Sequence, residues 1–174
     1  RLRLRRNRTR SLDGGGHWTS TNLGGVTILA VDPTHTNTLY AGTFGGVFKS
    51  TDGGASWKAA NISLPSGQVY AFAVYPGNPS VVYVATQFGV FKSTNAAASW
   101  NPSSTGLPGP YIYSLAMDTH TPTTLYAGTG GSGVYKSLDG GSTWAATGLT
   151  GVPIFDLTID PQIPSTIYAG GFKS

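Results

Sequence analysis

The sequence predicts an all-β fold in which a four-stranded antiparallel unit repeats about four times, as the blades of a β-propeller do. One tyrosine and one tryptophan recur with a period near 43 residues: Tyr40, Tyr83, Tyr126 and Tyr168, and Trp57, Trp100 and Trp144. A period of this length with about four strands is typical of propeller blades. The 25 glycines and the low charged fraction of 10% suit a turn-rich β protein, and no window shows helical periodicity.

Each repeat is expected to hold four strands in the same order. Strand one is predicted at 26–31, 69–74, 112–117 and 154–159, and it often ends at an Asp-Pro pair, where proline cannot continue a ladder. Strand two is centred on the repeated tyrosine. Strand three is predicted at 47–49, 90–92 and 134–136, and strand four is expected to begin at the repeated tryptophan.

A short motif joins strands three and four, and we call its four copies the turn repeats: 11–18, 50–57, 93–100 and 137–144. The second copy reads Ser-Thr-Asp-Gly-Gly-Ala-Ser-Trp. Two glycines after the aspartate let the backbone adopt positive φ, and the carboxylate can accept N–H groups of its own turn. We expect the tryptophan to cover the turn and shield those hydrogen bonds from water. The third copy is worn, with asparagine for aspartate and alanines for both glycines.

The turn repeats resemble the Asp-box, or BNR repeat, and Tyr-Ala-Gly-Thr-Phe-Gly-Gly-Val-Phe-Lys-Ser at 40–50 and its counterparts extend the likeness. Such units resemble blades of the propellers in xyloglucanase-type glycoside hydrolases, sialidases, sortilin-type receptors and photosystem assembly factors. The resemblance implies a propeller but no single function, because those proteins do unrelated jobs. It implies structural roles for the Asp-box positions Asp13, Trp18, Asp52, Trp57, Asn95, Trp100, Asp139 and Trp144.

The repeat boundaries divide the chain into an Arg-rich tail at 1–10, expected to be disordered, and five repeat units. The units are 11–22 (partial), 26–61, 69–103, 112–147 and 154–174 (partial). Two architectures fit this phase. Residues 18–21 could pair with 171–173 and close a four-bladed ring, or the chain could be an arc of a larger propeller. We favour the arc, because Asp-box relatives mostly have more blades. An open arc could also assemble edge to edge with another chain.

Charge and composition exclude several functions. The net charge of +4 comes from six arginines at 1–10; beyond them five lysines face seven aspartates, so no nucleic-acid partner is expected for the body. The chain has no cysteine, its three histidines share no repeat position, and no phosphate-binding loop is visible, so neither a metal nor another cofactor is expected. No apolar run suggests a membrane span. No signal peptide is visible, although the composition suits a secreted or extracytoplasmic bacterial-type protein.

Candidate chemistry on the innermost strands is sparse. Aligning the first strands places the bulky columns Thr27, Tyr70, Tyr113, Phe155 and Leu29, Phe72, Leu115, Leu157 between blades. The small columns Ile28, Ala71, Ser114, Asp156 and Ala30, Ala73, Ala116, Thr158 are expected to face the central channel. Asp156 is then a weak catalytic candidate, because glycoside hydrolysis needs two carboxylates and no partner is visible. A sialidase is disfavoured, because no arginine follows Arg10.

Binding residues are predicted in the loops that join strands two to three and four to one. Phe44, Gln87, Phe88 and Tyr111 combine aromatic rings with an amide, which suits stacking on sugar rings or burial by a protein partner. We therefore expect a non-catalytic scaffold or binding module for a polysaccharide or protein ligand. The alternative is a fragment of a carbohydrate-active enzyme, resembling a xyloglucanase, whose catalytic carboxylates lie elsewhere or include Asp156.

Overall fold

A computed structural model describes residues 7–171 of the chain. All of its regular elements are strands, and the described residues contain no helix. Three antiparallel four-stranded sheets form blade 1, blade 2 and blade 3, with consecutive strands as neighbours. Their strands are β3 (Val26–Val31), β4 (Leu39–Thr43), β5 (Gly46–Ser50) and β6 (Lys58–Ala59); β7 (Val69–Val74), β8 (Val82–Thr86), β9 (Gly89–Ser93) and β10 (Asn101–Pro102); β11 (Ile112–Met117), β12 (Leu125–Thr129), β13 (Val134–Ser137) and β14 (Ala145–Ala146).

Two two-stranded sheets flank the three blades. The first hairpin consists of β1 (Asn7–Arg10) and β2 (Thr19–Gly24), and the last hairpin of β15 (Asp156–Ile159) and β16 (Ile167–Gly170). Disorder over the whole of 1–10 was therefore a wrong expectation, because the last four of these residues form a strand that pairs with β2. The other six lie outside the described residues, as do 172–174. The fourth strands of the blades begin one residue after the tryptophan and not at it.

Closure of a four-bladed ring, the alternative to the favoured arc, is not seen among the described residues. Thr19 pairs with Arg10 inside the first hairpin, and β15 and β16 pair only with each other. The proposed partners of residues 18–21, at 171–173, lie almost wholly outside the described range. The two hairpins therefore belong to separate sheets, and the described part of the chain is an open row of sheets.

The hydrophobic core lies between neighbouring sheets, as expected when blades pack face to face. One buried cluster joins blades 1 and 2 through Tyr40, Val69 and Trp100, and a second joins blades 2 and 3 around Tyr83 and Leu115. Two smaller clusters attach the hairpins to the outer blades. Each blade is thus stabilised mainly by its neighbours, which is the energetic pattern of a repeat protein.

The turn repeats share one geometry, seen clearly at 137–144. The hydroxyl of Ser137 donates to Asp139 Oδ1 at 2.8 Å and accepts the N–H of Gly141 at 2.9 Å. Asp139 Oδ1 also accepts the N–H of Thr143 at 2.9 Å. The serine is fully buried, whereas the aspartate is exposed. We had expected the tryptophan to shield the carboxylate, and it does not. The buried hydrogen-bonding centre of the turn is the serine.

The turn tryptophan instead ties one blade to the preceding one. Trp100 donates its indole N–H to the carbonyl oxygen of Ala60, and Trp144 donates to that of Ser103, both at 2.8 Å. Both acceptors lie just after the fourth strand of the preceding blade. We call this contact the indole latch.

A second latch runs in the opposite direction, from a cation at the end of strand three to a carbonyl in the next turn repeat. The three pairs are Lys49 with Ala96 at 2.9 Å, Lys92 with Gly140 at 3.0 Å, and Arg10 with Gly53 at 3.0 Å. We call this contact the cation latch. Since Arg10 uses it too, the first hairpin sits against blade 1 as the third and fourth strands of a preceding blade would.

Candidate ligand-binding face

Backbone hydrogen bonds separate the loops onto two faces of the row of sheets. On the turn face, the turn repeat of each of the three blades bonds to the loop between strands one and two of its own blade, for example Gly140 N to Thr123 O at 2.9 Å. On the opposite face, the loops between strands two and three bond to those between strands four and one. Gln87 N donates to Gln68 O at 3.1 Å, and Gly130 N donates to Tyr111 O at 2.9 Å. We call this second face the aromatic face.

The structure places all four predicted binding residues on the aromatic face. Phe44, Phe88 and Tyr111 keep 65%, 48% and 49% of their surface exposed. The N–H of Tyr111 donates to the carbonyl oxygen of Gln87 at 3.2 Å, so Gln87, Phe88 and Tyr111 lie together where blades 2 and 3 meet. Phe44 occupies the corresponding turn of blade 1. One side of the Gln87 amide is already used, since its Oε1 accepts the N–H of Gln68 at 3.3 Å.

A row of aromatic rings crosses three adjacent sheets beside these residues. Tyr70 of blade 2 meets Tyr113 of blade 3 edge to face at 4.9 Å between ring centroids, and Tyr113 stacks on Phe155 at 5.0 Å. Tyr111 lies 6.3 Å from Tyr113. The predicted inter-blade contacts of Tyr70, Tyr113 and Phe155 are therefore present. The rings nevertheless remain partly or largely exposed, so they extend the aromatic surface.

The environment of this row affects the hydroxyl of Tyr70. Burial, together with the nearby Tyr113 and Tyr111, raises the pKa of Tyr70 above its usual value of 10. The phenol of Tyr70 therefore stays protonated throughout the physiological range and can donate a hydrogen bond. Sequence reasoning assigned Tyr70 and Tyr113 to packing between blades alone. Aromatic residues at the same strand-one position of successive repeats were the signal that these rings could also form an exposed surface.

A cavity of about 230 Å³ lies among the innermost strands of the blades and the last hairpin, where the channel is expected. Ile28, Ala71, Ser114 and Asp156 line it, as predicted from the small columns. Leu29, Phe72 and Leu115 line it too, so the expected separation of the two kinds of column is incomplete.

Leu29 departs from its predicted packing role, because half of its surface is exposed. In the other repeats the equivalent residue meets the strand-two tyrosine of the preceding blade. Phe72 lies 6.1 Å from Tyr40, and Leu115 and Leu157 share clusters with Tyr83 and Tyr126. The first hairpin precedes blade 1 but contains no strand two, so Leu29 lacks its tyrosine.

Asp156 is exposed at the edge of this cavity. Among the described residues that line the cavity it is the single carboxylate. The arrangement therefore shows no pair of carboxylates that could flank a glycosidic bond there.

A larger cavity of about 400 Å³ lies away from the aromatic face, between blade 1 and the turn repeat at 93–100. Its polar lining is largely engaged in structural contacts. Lys49 donates to Ala96 O, and Asn95 bonds to Ser93 and Ser99 within its own turn. Since it offers no comparable aromatic surface, we place the candidate site on the aromatic face.

Among the described residues, no three His, Cys, Asp or Glu side chains come close enough to hold a metal ion. No helix in this part of the chain is long and apolar enough to cross a membrane. The three histidines lie next to aspartates in separate turns, at Asp13, Asp32 and Asp118.

Repeated antiparallel sheets packed side by side around a common inner edge define a propeller-type fold. No protein-family model and no curated protein matches the chain. Solved structures do match it. An ancestral GH74 enzyme is 26% identical, with a TM-score of 0.69. The match covers 84% of this chain and 22% of the enzyme.

Two further solved structures share the fold at lower identity. The GH74 xyloglucanase from Xanthomonas campestris is 21% identical, with a TM-score of 0.65, over 80% of this chain and 27% of the enzyme. The extracellular domain of a hybrid two-component system from B. thetaiotaomicron is 17% identical, with a TM-score of 0.70, over 88% of this chain and 21% of that protein. The chain thus spans about a quarter of the length of these structures.

Proposed function

We propose that the chain is a non-catalytic binding module and that its aromatic face binds a glycan. The observation that carries this proposal is the row Tyr70, Tyr113 and Phe155, with Tyr111 and Phe88 beside it. Flat exposed rings offer the apolar faces of sugar rings a stacking surface, and the tyrosine hydroxyls and the free side of the Gln87 amide can bond to sugar hydroxyls.

The likeness to GH74 enzymes, one of them a xyloglucanase, supports a β-glucan as the ligand class. The Asp-box interpretation of the turn repeats belongs to the same proposal, since it connects this chain to carbohydrate-active propellers. The fold also occurs in the extracellular domain of a hybrid two-component system, which favours an extracytoplasmic location. A protein ligand on the same face is the second binding hypothesis, because exposed aromatic rings also anchor protein partners.

The binding test uses xyloglucan oligosaccharides and unbranched β-glucan oligosaccharides, titrated calorimetrically into the purified chain. Tyr111→Ala and Phe88→Ala are expected to weaken binding about tenfold, which corresponds to ~1.4 kcal/mol. Leu138→Ala is the matched control, because Leu138 is exposed but lies in a turn repeat on the opposite face. Equal affinities for all three variants, or no binding to any of the glycans, would refute the proposed site.

A catalytic role is the alternative, and Asp156 in the channel-edge cavity is the observation that favours it. The lack of a second carboxylate around that cavity argues against it, because both glycosidase mechanisms use two. Incubation with the same β-glucans and reducing-sugar measurement decides between them. Hydrolysis that disappears in Asp156→Asn would overturn the non-catalytic proposal.

A further inference from the structure

A cavity of about 240 Å³ lies on the aromatic face of blade 3, between the loop that precedes β11 and the turn that joins β12 to β13. Tyr113 lines this cavity and also belongs to the aromatic row, so the cavity adjoins the row. We propose that this cavity, which we call the side pocket, is a subsite for one neutral sugar unit that projects from the bound glycan, as a branch or as a chain end. The inference rests on the proposed function and adds a specificity to it.

The side pocket is present because the turn of blade 3 lacks an aromatic ring. In blades 1 and 2 the residues that join strands two and three include a phenylalanine, Phe44 or Phe88. Both rings lie against the loop before strand one of their own blade, Phe44 beside Gly25 and Phe88 beside Gly67. In blade 3 the connection is one residue longer and has Gly-Gly-Ser at 130–132 instead. Open space therefore replaces a ring at this position of the repeat.

Two glycines shape the side pocket in different ways. A Cβ at Gly130 would lie 3.2 Å from Cβ of Tyr111 and 3.2 Å from Cε2 of Tyr113, which is a tight contact. Glycine thus lets this backbone approach both tyrosines closely. A Cβ at Gly131, by contrast, would meet no atom within 4 Å. The first glycine holds the turn against the tyrosines, and the second leaves room for a ligand.

Tyr111 is held in an unfavourable backbone conformation at the side pocket. Its φ is 68°, in the left-handed region that disfavours residues with a Cβ. In blade 1 the residue before strand one is Gly25, also with φ of 68°. The N–H of Tyr111 donates to Gln87 O at 3.2 Å, and its carbonyl oxygen accepts the N–H of Gly130 at 2.9 Å. A half-exposed tyrosine fixed where glycine fits without strain indicates that its ring serves binding and not stability.

The lining of the side pocket matches the two kinds of surface that a sugar ring presents. The rings of Tyr111 and Tyr113, together with those of two prolines, offer apolar contact to the C–H groups of the sugar. The hydroxyls of both tyrosines and of Ser132 have no hydrogen-bond partner among the described residues and can bond to sugar hydroxyls. The described lining residues carry no charge, which favours a neutral sugar over a uronic acid or a phosphate.

The volume of the side pocket limits its occupant to a single sugar unit. At about 240 Å³ it is smaller than the roughly 300–1,000 Å³ of sites for drug-sized ligands, so an oligosaccharide does not fit inside. The aromatic row, by contrast, crosses three adjacent sheets and suits the backbone of a longer glycan. Since Tyr113 belongs to both, a glycan that lies on the row places one unit in the side pocket. Pro108 and Pro110 stiffen one wall, which reduces the entropy lost on binding.

Gly131→Trp tests the side pocket directly, because it returns a ring to a turn that has lost one. The substitution fits the backbone, since a Cβ there meets open space and Gly131 has no positive φ. In calorimetric titrations with xyloglucan oligosaccharides, which carry branch sugars, the variant is expected to bind about tenfold more weakly than the wild type. Leu138→Trp is the matched control, because it adds the same side chain at an exposed position on the turn face.

Unbranched β-glucan oligosaccharides distinguish a branch from a chain end. For a branch subsite, Gly131→Trp weakens binding of the xyloglucan oligosaccharides alone. For a chain-end subsite it weakens binding of both glycans, and the number of wild-type molecules bound per unbranched chain does not rise with chain length. Unchanged affinity of Gly131→Trp for both glycans would overturn the side pocket but leave the proposed function standing. A wild-type protein that binds neither glycan would refute both.

Two variants of Tyr111 test the role of its ring without filling the pocket. Both Tyr111→Gly and Tyr111→Ala remove the ring and are expected to weaken binding of xyloglucan oligosaccharides about tenfold. Tyr111→Gly should melt at the higher temperature of the two, because only alanine keeps a Cβ in the left-handed region. A packing role alone would change the melting temperature but not the affinity. Wild-type affinity in Tyr111→Gly would therefore refute the side pocket as a sugar subsite.

Discussion

Trp144 of blade 3 donates its indole N–H to the carbonyl oxygen of Ser103 in blade 2 at 2.8 Å, and Trp100 makes the same bond to Ala60. The equivalent Trp57 breaks the pattern. Its Nε1 is buried but has no hydrogen-bond partner within the described residues. The same side chain at the same repeat position is therefore satisfied twice and unsatisfied once, which provides an internal comparison of the indole latch.

Replacing these tryptophans with phenylalanine should separate the latch from the packing of the ring. Trp100→Phe is expected to lower the free energy of unfolding by about 1–3 kcal/mol more than Trp57→Phe. Both variants lose ring volume, but only the first leaves a carbonyl oxygen without its donor. Urea unfolding monitored by circular dichroism measures the difference. Equal losses would mean that the indole latch contributes nothing beyond packing.

The serines of the three blade turn repeats, Ser50, Ser93 and Ser137, are buried and should therefore contribute to stability. Ser137→Ala removes the hydroxyl that bonds Asp139 and Gly141 and is expected to cost about 1–3 kcal/mol, because the Gly141 N–H is left buried. Ser11→Ala is the matched control. Its hydroxyl makes the same bonds in a solvent-exposed turn, where water can replace it. Thermal melts of both variants give the comparison, and a larger loss at Ser11 would contradict the role of burial.

The turn carboxylates should make stability depend on acid pH. Hydrogen bonds from the hydroxyl and N–H of Thr143, and then from Ser137, lower the pKa of Asp139 from 3.8 to about 2. For Asp13, bonds from the N–H and ring of His17 lower the pKa to about 2. Because the folded-state pKa lies below the unfolded value, this stabilisation is present above pH 3.8. It is lost as the pH falls towards 2.

Asp139→Asn keeps an acceptor oxygen but cannot titrate, so it isolates the charge. The melting temperature of the wild-type protein should fall more steeply between pH 4 and pH 2 than that of the variant. The worn turn repeat at 93–100 shows that an amide fits this position, since Asn95 Oδ1 accepts the N–H of Ser99 at 2.9 Å. Since Asp139 is exposed, the expected effect is small and best resolved at low salt. Parallel pH profiles would show that the carboxylate charge is irrelevant.

Much of the fold could be predicted because the repeat period constrains it. The predicted first strands at 26–31, 69–74 and 112–117 coincide with β3, β7 and β11. The alternation of side chains and the punctuation by glycine and proline are local signals, and they recur in register three times. Repetition therefore made each assignment stronger than a single strand pattern could.

Features that depend on contacts between sheets could not be predicted in the same way. The strand at Asn7–Arg10 has an Arg-rich sequence with weak strand propensity, and its place became visible only through the bond of Arg10 to Gly53. The exposure of Leu29 follows from a missing neighbour and not from its own strand. A clue to the cation latch was available: a basic residue ends strand three in each repeat, at Arg10, Lys49, Lys92 and Lys136.

The candidate site was anticipated in part. Sequence reasoning placed Phe44, Gln87, Phe88 and Tyr111 in the right loops, because loop position follows from strand order. It did not anticipate that Tyr70, Tyr113 and Phe155 pack between sheets and still remain partly exposed. A residue can do both at the inner edge of a propeller, where neighbouring strands converge.

The worn turn repeat should be improvable by restoring a glycine. Ala96 has φ of 55°, in the left-handed region where a Cβ costs about 1–2 kcal/mol, whereas Gly53 and Gly140 occupy this position at 67° and 68° in the intact copies. Ala96→Gly relieves that strain but increases the entropy of the unfolded chain, so the expected gain in unfolding free energy is about 0.5–1 kcal/mol. Ala98→Gly is the control, because Ala98 is exposed in the same turn and has no positive φ. It should destabilise by about 0.4–1 kcal/mol. Urea titrations of both variants measure the two signs, and a loss of stability in Ala96→Gly comparable to that in Ala98→Gly would show that the left-handed alanine is not strained.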